Sequence, residues 1–365
     1  MALTRRVRPS GAVRWEVRVY SHGRIAAQKT FERRAEAKAW EAEQTARIRK
    51  GTWIDPRRGE ATVASVAEAW QRSRDHLAPR SQETTRFLLD RDILPVLGKR
   101  PVASLTAADV TDVLERMTTR GLSVNTLRRT LSVLRLLLDY AVMDERIDVN
   151  VARKVTPPKG ATVVEPHWLT VGQLGALASS VPAHCRVVVL ALGLMGLRFS
   201  EMAGLQVRDA ILTKHGWALR VHRPITESRV TSRLIEGPPK NRHSRTVPVP
   251  SALVEYVEGR CRAAPPDAPL FPTRRGSIWR GNNFRRACHW KETTEAIGVP
   301  GLRLHDLRHT AASLLIASGA DIKATQRILG HRSAQMTVDL YGHLIDAHLW
   351  TAVDCLPSID SGRGL

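Results

Sequence analysis

The chain has 365 residues, with 56 Lys and Arg against 35 Asp and Glu, a formal charge of +21, and 46 of its basic residues are arginine. That length suggests two or three domains, and an apolar share of 43% supports packed cores over disorder. No apolar run approaches the ~18–20 residues that cross a bilayer, and Cys185, Cys261, Cys288 and Cys355 form no C-x-x-C pair, which excludes a membrane span and a cysteine-built zinc module.

Arginine in such excess points to a polyanion, with nucleic acid ahead of an anionic membrane, since the planar guanidinium holds two phosphate oxygens at once. At the start, Arg5, Arg6 and Arg8 have no apolar stretch behind them, so no secretory leader is expected, and the separated cysteines fit a reduced cytoplasm. Residues 1–60 hold 15 Lys/Arg against 7 Asp/Glu, a local +8. Residues 13–20 alternate apolar and polar, which predicts a strand. Residues 21–24 read as a turn, 25–31 as a returning strand and 32–49, rich in Ala and Glu, as a helix. The alternative to this basic sheet-plus-helix unit is a solvated charged tail. Residues 51–59, punctuated by Pro and Gly, read as a linker. Four helical periods follow, at 63–74, 82–94, 107–119 and 123–143. In the fourth, Leu127, Leu131, Leu134 and Leu138 form one apolar stripe. Asn125, Arg128, Ser132 and Arg135 form a polar stripe beside it, either solvated or facing DNA. Residues 156–160 read as a second linker, and 166–354 as apolar helices around short strands between 217 and 250.

Four clusters in this last region carry chemistry. Gly196-Leu-Arg198-Phe-Ser-Glu201 places Arg198 and Glu201 three apart on one helical turn. Pro239-Lys240 sits near a turn ahead of Arg245-Thr-Val-Pro248. His305-Asp-Leu-Arg308-His309 puts three side chains on one face. Leu329-Gly-His331 is followed ten residues after His331 by Tyr341. Two arginines can clamp a phosphodiester and stabilise transition-state charge. A lysine can protonate a leaving oxygen, histidines can donate or shuttle protons, and a tyrosine hydroxyl can attack. Singly, Arg198 could be an ion-pair partner of Glu201, and Tyr341 a half-buried aromatic. His305 and His309 have zinc-ligand spacing, but no Glu follows the first histidine and Arg308 would repel a cation. No Walker motif and no carboxylate cluster suited to Mg²⁺ stands out.

As an ordered set, the clusters resemble the catalytic domain of the tyrosine recombinases, the phage-integrase family. The first-arginine box is similar to Gly196–Glu201, the H-x-x-R-H box to His305–His309 and the L-G-H box to Leu329–His331. The nucleophile corresponds to Tyr341, and the hairpin lysine to Lys240 ahead of its R-x-V-P strand. The resemblance implies a multidomain α+β protein: residues 1–58 a small sheet-plus-helix arm-type DNA-binding domain, 62–158 an all-α core-binding domain, 166–354 a mostly α catalytic domain with a small antiparallel sheet, and 355–365 a tail. It also implies a mechanism. Tyr341 attacks a DNA phosphate to form a 3′-phosphotyrosyl link, Arg198, Arg308, His305 and His331 surround that phosphate, and Lys240 protonates the departing 5′ oxygen, with no metal or other cofactor. Glu201 and His309 are expected behind these groups, and Asn125, Arg128 and Arg135 against DNA.

The implied partners are double-stranded DNA at core and arm attachment sites, further copies in a tetramer, and accessory DNA-bending and directionality factors, all in the cytoplasm and away from membranes. Residues 345–356, with Leu349, Trp350 and Val353, would dock on a neighbouring copy or on their own domain. The basic first unit favours a phage or mobile-element integrase. A type IB topoisomerase shares the chemistry, and a catalytically silent DNA-binding protein is the alternative from another class.

Overall fold

The computed structural model describes residues 2–7, 9, 11–21, 24–160, 167–228, 230–237 and 244–330. The chain folds as two compact units that divide near residue 163.

The first unit opens with three antiparallel strands in the order β1 (Ala2–Val7), β2 (Val13–Ser21), β3 (Arg24–Phe31), followed by α1 (Arg34–Arg49). Period-2 alternation gives the sheet two unlike faces. Val17 and Val19 are fully buried. The Phe31 and Trp40 rings lie 5.8 Å apart, and the Arg34 guanidinium sits 5.3 Å from the Trp15 ring, so α1 covers the face that carries Trp15, Val17 and Phe31. The register puts Thr4, Arg6, Arg14, Glu16, Arg18, Gln28 and Thr30 on the opposite face. There Glu16 pairs with Arg6 at 3.3 Å and Arg18 at 2.6 Å. β1 is an addition to the sequence reading, because arginines at 5 and 6 interrupt its apolar positions.

Residues 51–59 run through a packed turn. Asp55 caps the 3-10 turn Pro56–Glu60 by accepting from the Arg57 backbone N–H at 3.0 Å. Gly59 is buried so tightly that a β carbon there would lie 2.6 Å from Ala103 Cβ. Arg58 donates to the Asp144 carbonyl at 2.7 Å, and Arg47 pairs with Asp148 at 2.5 Å.

The helices α2 (Val63–Arg72), α3 (Pro79–Leu88), α4 (Leu94–Leu97), α5 (Ala107–Thr119) and α6 (Val124–Met143) follow. Thr62, Thr106 and Ser123 cap α2, α5 and α6 with their hydroxyls. The stripe Leu127, Leu131, Leu134 and Leu138 is buried, as its spacing predicts. The helix expected at 82–94 differs. α3 begins on Pro79, whose missing N–H is harmless in a first turn, and a π turn at Leu89–Ile93 carries the chain into α4, where Pro95 again occupies a first-turn position.

The second unit contains α7 (Val171–Ser180), α8 (Ala183–Met195), α9 (Phe199–Gly204), β4 (Ala210–Thr213), β5 (Gly216–Val221), β6 (Ile225–Glu227), β7 (Leu234–Glu236), β8 (Arg245–Pro248), α10 (Ser251–Ala263), α11 (Gly281–Ala287), α12 (Trp290–Ala296), α13 (Asp306–Ala317) and α14 (Ile322–Leu329). An antiparallel sheet runs in the order β4-β5-β8, with β6 and β7 as a separate hairpin. α8 supplies the centre of the core through Cys185, Val188, Val189 and Leu192, and α13 packs along it. The molecule is thus a multidomain α+β protein, mostly helical, with small antiparallel sheets.

Candidate active site

Left-handed turns that end α8 at Gly196 and α14 at Gly330 help bring the distant clusters together in the second unit. α8 ends at Gly196, whose left-handed backbone (φ +63°) suits glycine, and a β carbon there would meet Leu329 Cδ2 at 2.4 Å. Two residues later Arg198 caps α9. Its backbone N–H donates to Glu201 Oε2 and its Nη1 to Glu201 Oε1, both at 2.8 Å. The i,i+3 spacing is therefore realised as a cap in which the Glu201 carboxylate accepts from both the backbone and the side chain of Arg198.

Glu201 is only 3% exposed and holds a second guanidinium, since Arg245 on β8 donates Nη1 to Oε1 at 2.9 Å and Nη2 to Oε2 at 2.8 Å. Burial alone would push the Glu201 carboxyl up. The hydrogen bond and charge of Arg245, joined by the charge and backbone N–H of Arg198, override it and bring the carboxyl down to about 2. Arg245 also donates Nε to the Ile328 carbonyl at 2.8 Å. The sequence reading used Arg245 only to mark the strand after Lys240. The available signal was an arginine at the start of a strand that Leu219 and Val221 of β5 pair with inwardly.

Arg308, in the first turn of α13, is 3% exposed. It donates Nη1 to the Gly196 carbonyl at 2.6 Å and Nη2 to the Leu329 carbonyl at 2.5 Å. One guanidinium therefore ties the end of α8 to the end of α14. His305 and His309 flank it, with ring centroids 5.2 Å apart and planes at 86°. His305 keeps an exposed flank, yet partial loss of hydration around its ring, then the charges of His309, Arg308 and Arg198, lower it to about 4, against a raising influence from Asp306. Burial lowers His309 as well. Both imidazoles are thus neutral at pH 7, able to donate one hydrogen bond and accept another. Fully buried Asp306 caps this turn by accepting from the Arg303 backbone N–H at 2.7 Å.

The structure thus gathers Arg198, Glu201, His305, Arg308 and His309. Lys240, His331, Tyr341 and the segment 345–356 lie outside the described residues. On α6, exposed Asn125 and half-buried Arg128 line a groove with Thr84, Thr85, Arg129 and Ser132. Arg128 also donates Nε to the Pro158 carbonyl at 2.9 Å. Arg135 does not line this groove. It donates to the carbonyls of Ala152 at 3.1 Å and Val155 at 2.7 Å, bracing the chain as it leaves the helices. Among the described residues no three His, Cys, Asp or Glu side chains converge as a metal site, and no helix is long and apolar enough to cross a membrane.

Chemically, two arginines and two neutral histidines around one locus suit an anionic, tetrahedral group such as a phosphodiester. Comparison with known proteins agrees. Residues 171–348 match the model of the phage integrase family, and residues 63–157 that of the phage integrase central domain. The integrase of Mycobacterium phage D29 is 31% identical over 324 residues, covering 85% of this chain and 84% of its own. The integrase of Mycobacterium phage L5 is 30% identical, covering 86% of each. The tyrosine recombinase XerC of Shewanella amazonensis is 26% identical over 76% of this chain and 90% of its own. Among solved structures, the Tn1549 transposon integrase in complex with a circular intermediate DNA superposes with a TM-score of 0.66 at 21% identity, covering 81% of this chain and 99% of that one. A lambda integrase tetramer bound to a Holliday junction gives 0.58 at 16% identity, covering 92% and 94%. At such identities these two likenesses speak for the fold.

Proposed function

The chain belongs to the phage integrase family, the tyrosine recombinases, and is a site-specific recombinase that breaks and rejoins DNA; on that premise we propose how its residues share the work. Tyr341 attacks the scissile phosphorus through its hydroxyl oxygen and releases the phenolic proton to water, the bond to the 5′ oxygen breaks, and Lys240 delivers a proton to that leaving oxygen. The phosphate stays on the tyrosine as a 3′ diester, so the bond can be remade by a 5′ hydroxyl without an external energy source. Arg198 and Arg308 offset the charge on the non-bridging oxygens, with His305 and His331 donating beside them. The neutral state of His305 in the free protein suits this role, since an arriving phosphate draws its protonation equilibrium upward.

The observation that carries this reading is Arg308. Its bonds to the carbonyls of Gly196 and Leu329 join the arginine box, the H-x-x-R-H box and the helix end that leads to His331. The partner is double-stranded DNA, with the groove lined by Asn125, Arg128 and Arg129 on core sites. The sheet face bearing Arg6, Arg14 and Arg18 serves arm sites, supported by its polar, arginine-rich surface opposite α1. Assembly as a tetramer is supported by the likeness to lambda integrase on a Holliday junction. The reaction takes place on DNA in the cytoplasm, with accessory bending and directionality factors. The test is a nicked suicide duplex from the replicon sequence beside the gene. Wild-type protein should become covalently attached, and Tyr341→Phe should bind the duplex normally without attaching. A covalent complex that survives Tyr341→Phe would identify another nucleophile.

A further inference from the structure

Arg245 belongs to none of the groups just placed on the phosphate, yet it makes contacts with two of the boxes. Both of its Nη atoms are on the Glu201 carboxylate and its Nε is on the Ile328 carbonyl. Its side chain passes beneath Gly330, where a β carbon would meet Arg245 Cδ at 3.0 Å and Nε at 3.2 Å. Each Glu201 oxygen accepts one hydrogen bond from Arg245 and one from Arg198. Four donors thus occupy the carboxylate, and the second fork prevents it from turning about its own axis.

We propose that Arg245 is a positioning residue for strand cleavage: by locking Glu201 it sets the direction in which Arg198 presents its guanidinium, and by holding the last turn of α14 it sets the point from which the chain departs toward His331. The proposal rests on the reading of Arg198 as a phosphate ligand. A lysine at 245 keeps the charge but loses the fork, and a glutamine loses both. The charged groups acting on Glu201 are Arg198 on its own turn and Arg245 from β8, while α14 contributes backbone only.

The experiment uses the full-length protein and nicked duplexes tiled across the replicon DNA that flanks the gene. Single-turnover attachment is measured at saturating DNA from pH 5 to 9, together with DNA affinity and thermal midpoint. Arg245→Gln should slow attachment by about 10²-fold, the usual scale for a misdirected donor, while DNA affinity changes by less than about threefold, far below that loss. Its rate should also fall toward the acid end relative to pH 8, because buried Glu201 without Arg245 takes up a proton more readily. Arg245→Lys should recover part of the rate and keep the wild-type pH profile. Adding Glu201→Gln to Arg245→Gln should abolish the acid limb. An Arg245→Gln rate near wild type overturns the proposal. So does a slowed variant with an unchanged pH profile and full rescue by lysine, which would mark Arg245 as a staple of the fold alone. No wild-type attachment on any duplex defeats the cleavage reading itself and takes this proposal with it, whereas wild-type attachment beside an unaffected variant defeats only the role of Arg245.

Discussion

Arg198 and Arg308 play parallel parts at the phosphate but different parts in the fold. Replacing Arg308 with alanine leaves two buried carbonyls, Gly196 and Leu329, without their donor. Each unsatisfied acceptor costs about 1–3 kcal/mol, so Arg308→Ala should lower the urea midpoint sharply as well as stop cleavage. Arg198→Ala leaves Glu201 still held by Arg245. It should cost at most about 1 kcal/mol, as for a partly exposed pair, while slowing attachment by roughly 10²–10³. Equal stability losses in the two variants would contradict the asymmetry. His305 gives a pH-dependent signature. In the unfolded chain an imidazole gains its proton near pH 6.5, in this fold only near about 4. Between those values the unfolded state binds the extra proton, so stability declines as pH falls from about 6.5 and levels off below about 4. Thermal midpoints measured across that window should decline less in His305→Asn than in the wild type.

At the scale of elements, glycines divide sharply. A β carbon at Gly204, the last residue of α9, would lie 1.7 Å from the Arg223 carbonyl oxygen, a backbone atom that cannot swing aside. Gly175, exposed in the middle of α7, has nothing within 4 Å. Gly175→Ala should therefore stabilise by about 0.5–1 kcal/mol, and Gly204→Ala should destabilise severely, both read from urea midpoints. What could be read from the sequence follows the same local-versus-distant division. α5 was expected at 107–119 and is found there, and the buried leucines of α6 match their spacing, because caps and periodicity are written within a few neighbouring residues. Arg198 and Glu201 were legible as a pair for the same reason. Arg245 was not, since its partners lie 44 and 83 residues away, nor were the carbonyls held by Arg308, 112 and 21 residues distant. The helical period ends at residue 94, just before Pro95. The π turn before it lets the helical path continue, a choice made by burial of Leu89 and Ile93 rather than by local preference.

At the scale of the molecule, the helical core of the first unit draws its buried members from Val63 onward. A protein beginning at Thr62 should therefore fold and still attach to core DNA. It should integrate poorly, because losing a tethered binding module can cost about 10²–10⁴ in avidity, and its salt dependence should flatten by about 0.9 in log–log slope per phosphate contact removed. Wild-type integration with an unchanged slope would remove the arm-binding role from residues 1–58. The two connections also differ in what a protease can do with them. Tryptic cleavage requires several residues to leave their contacts and enter the enzyme's cleft as an extended strand. Lys159 already lies exposed in a stretch without regular structure, whereas Arg57 and Arg58 are tied down in the capped turn over Gly59. Brief digestion should therefore cut after Lys159 well before it cuts after Arg57 or Arg58, releasing the sheet and the helical segment as a single fragment ending at Lys159.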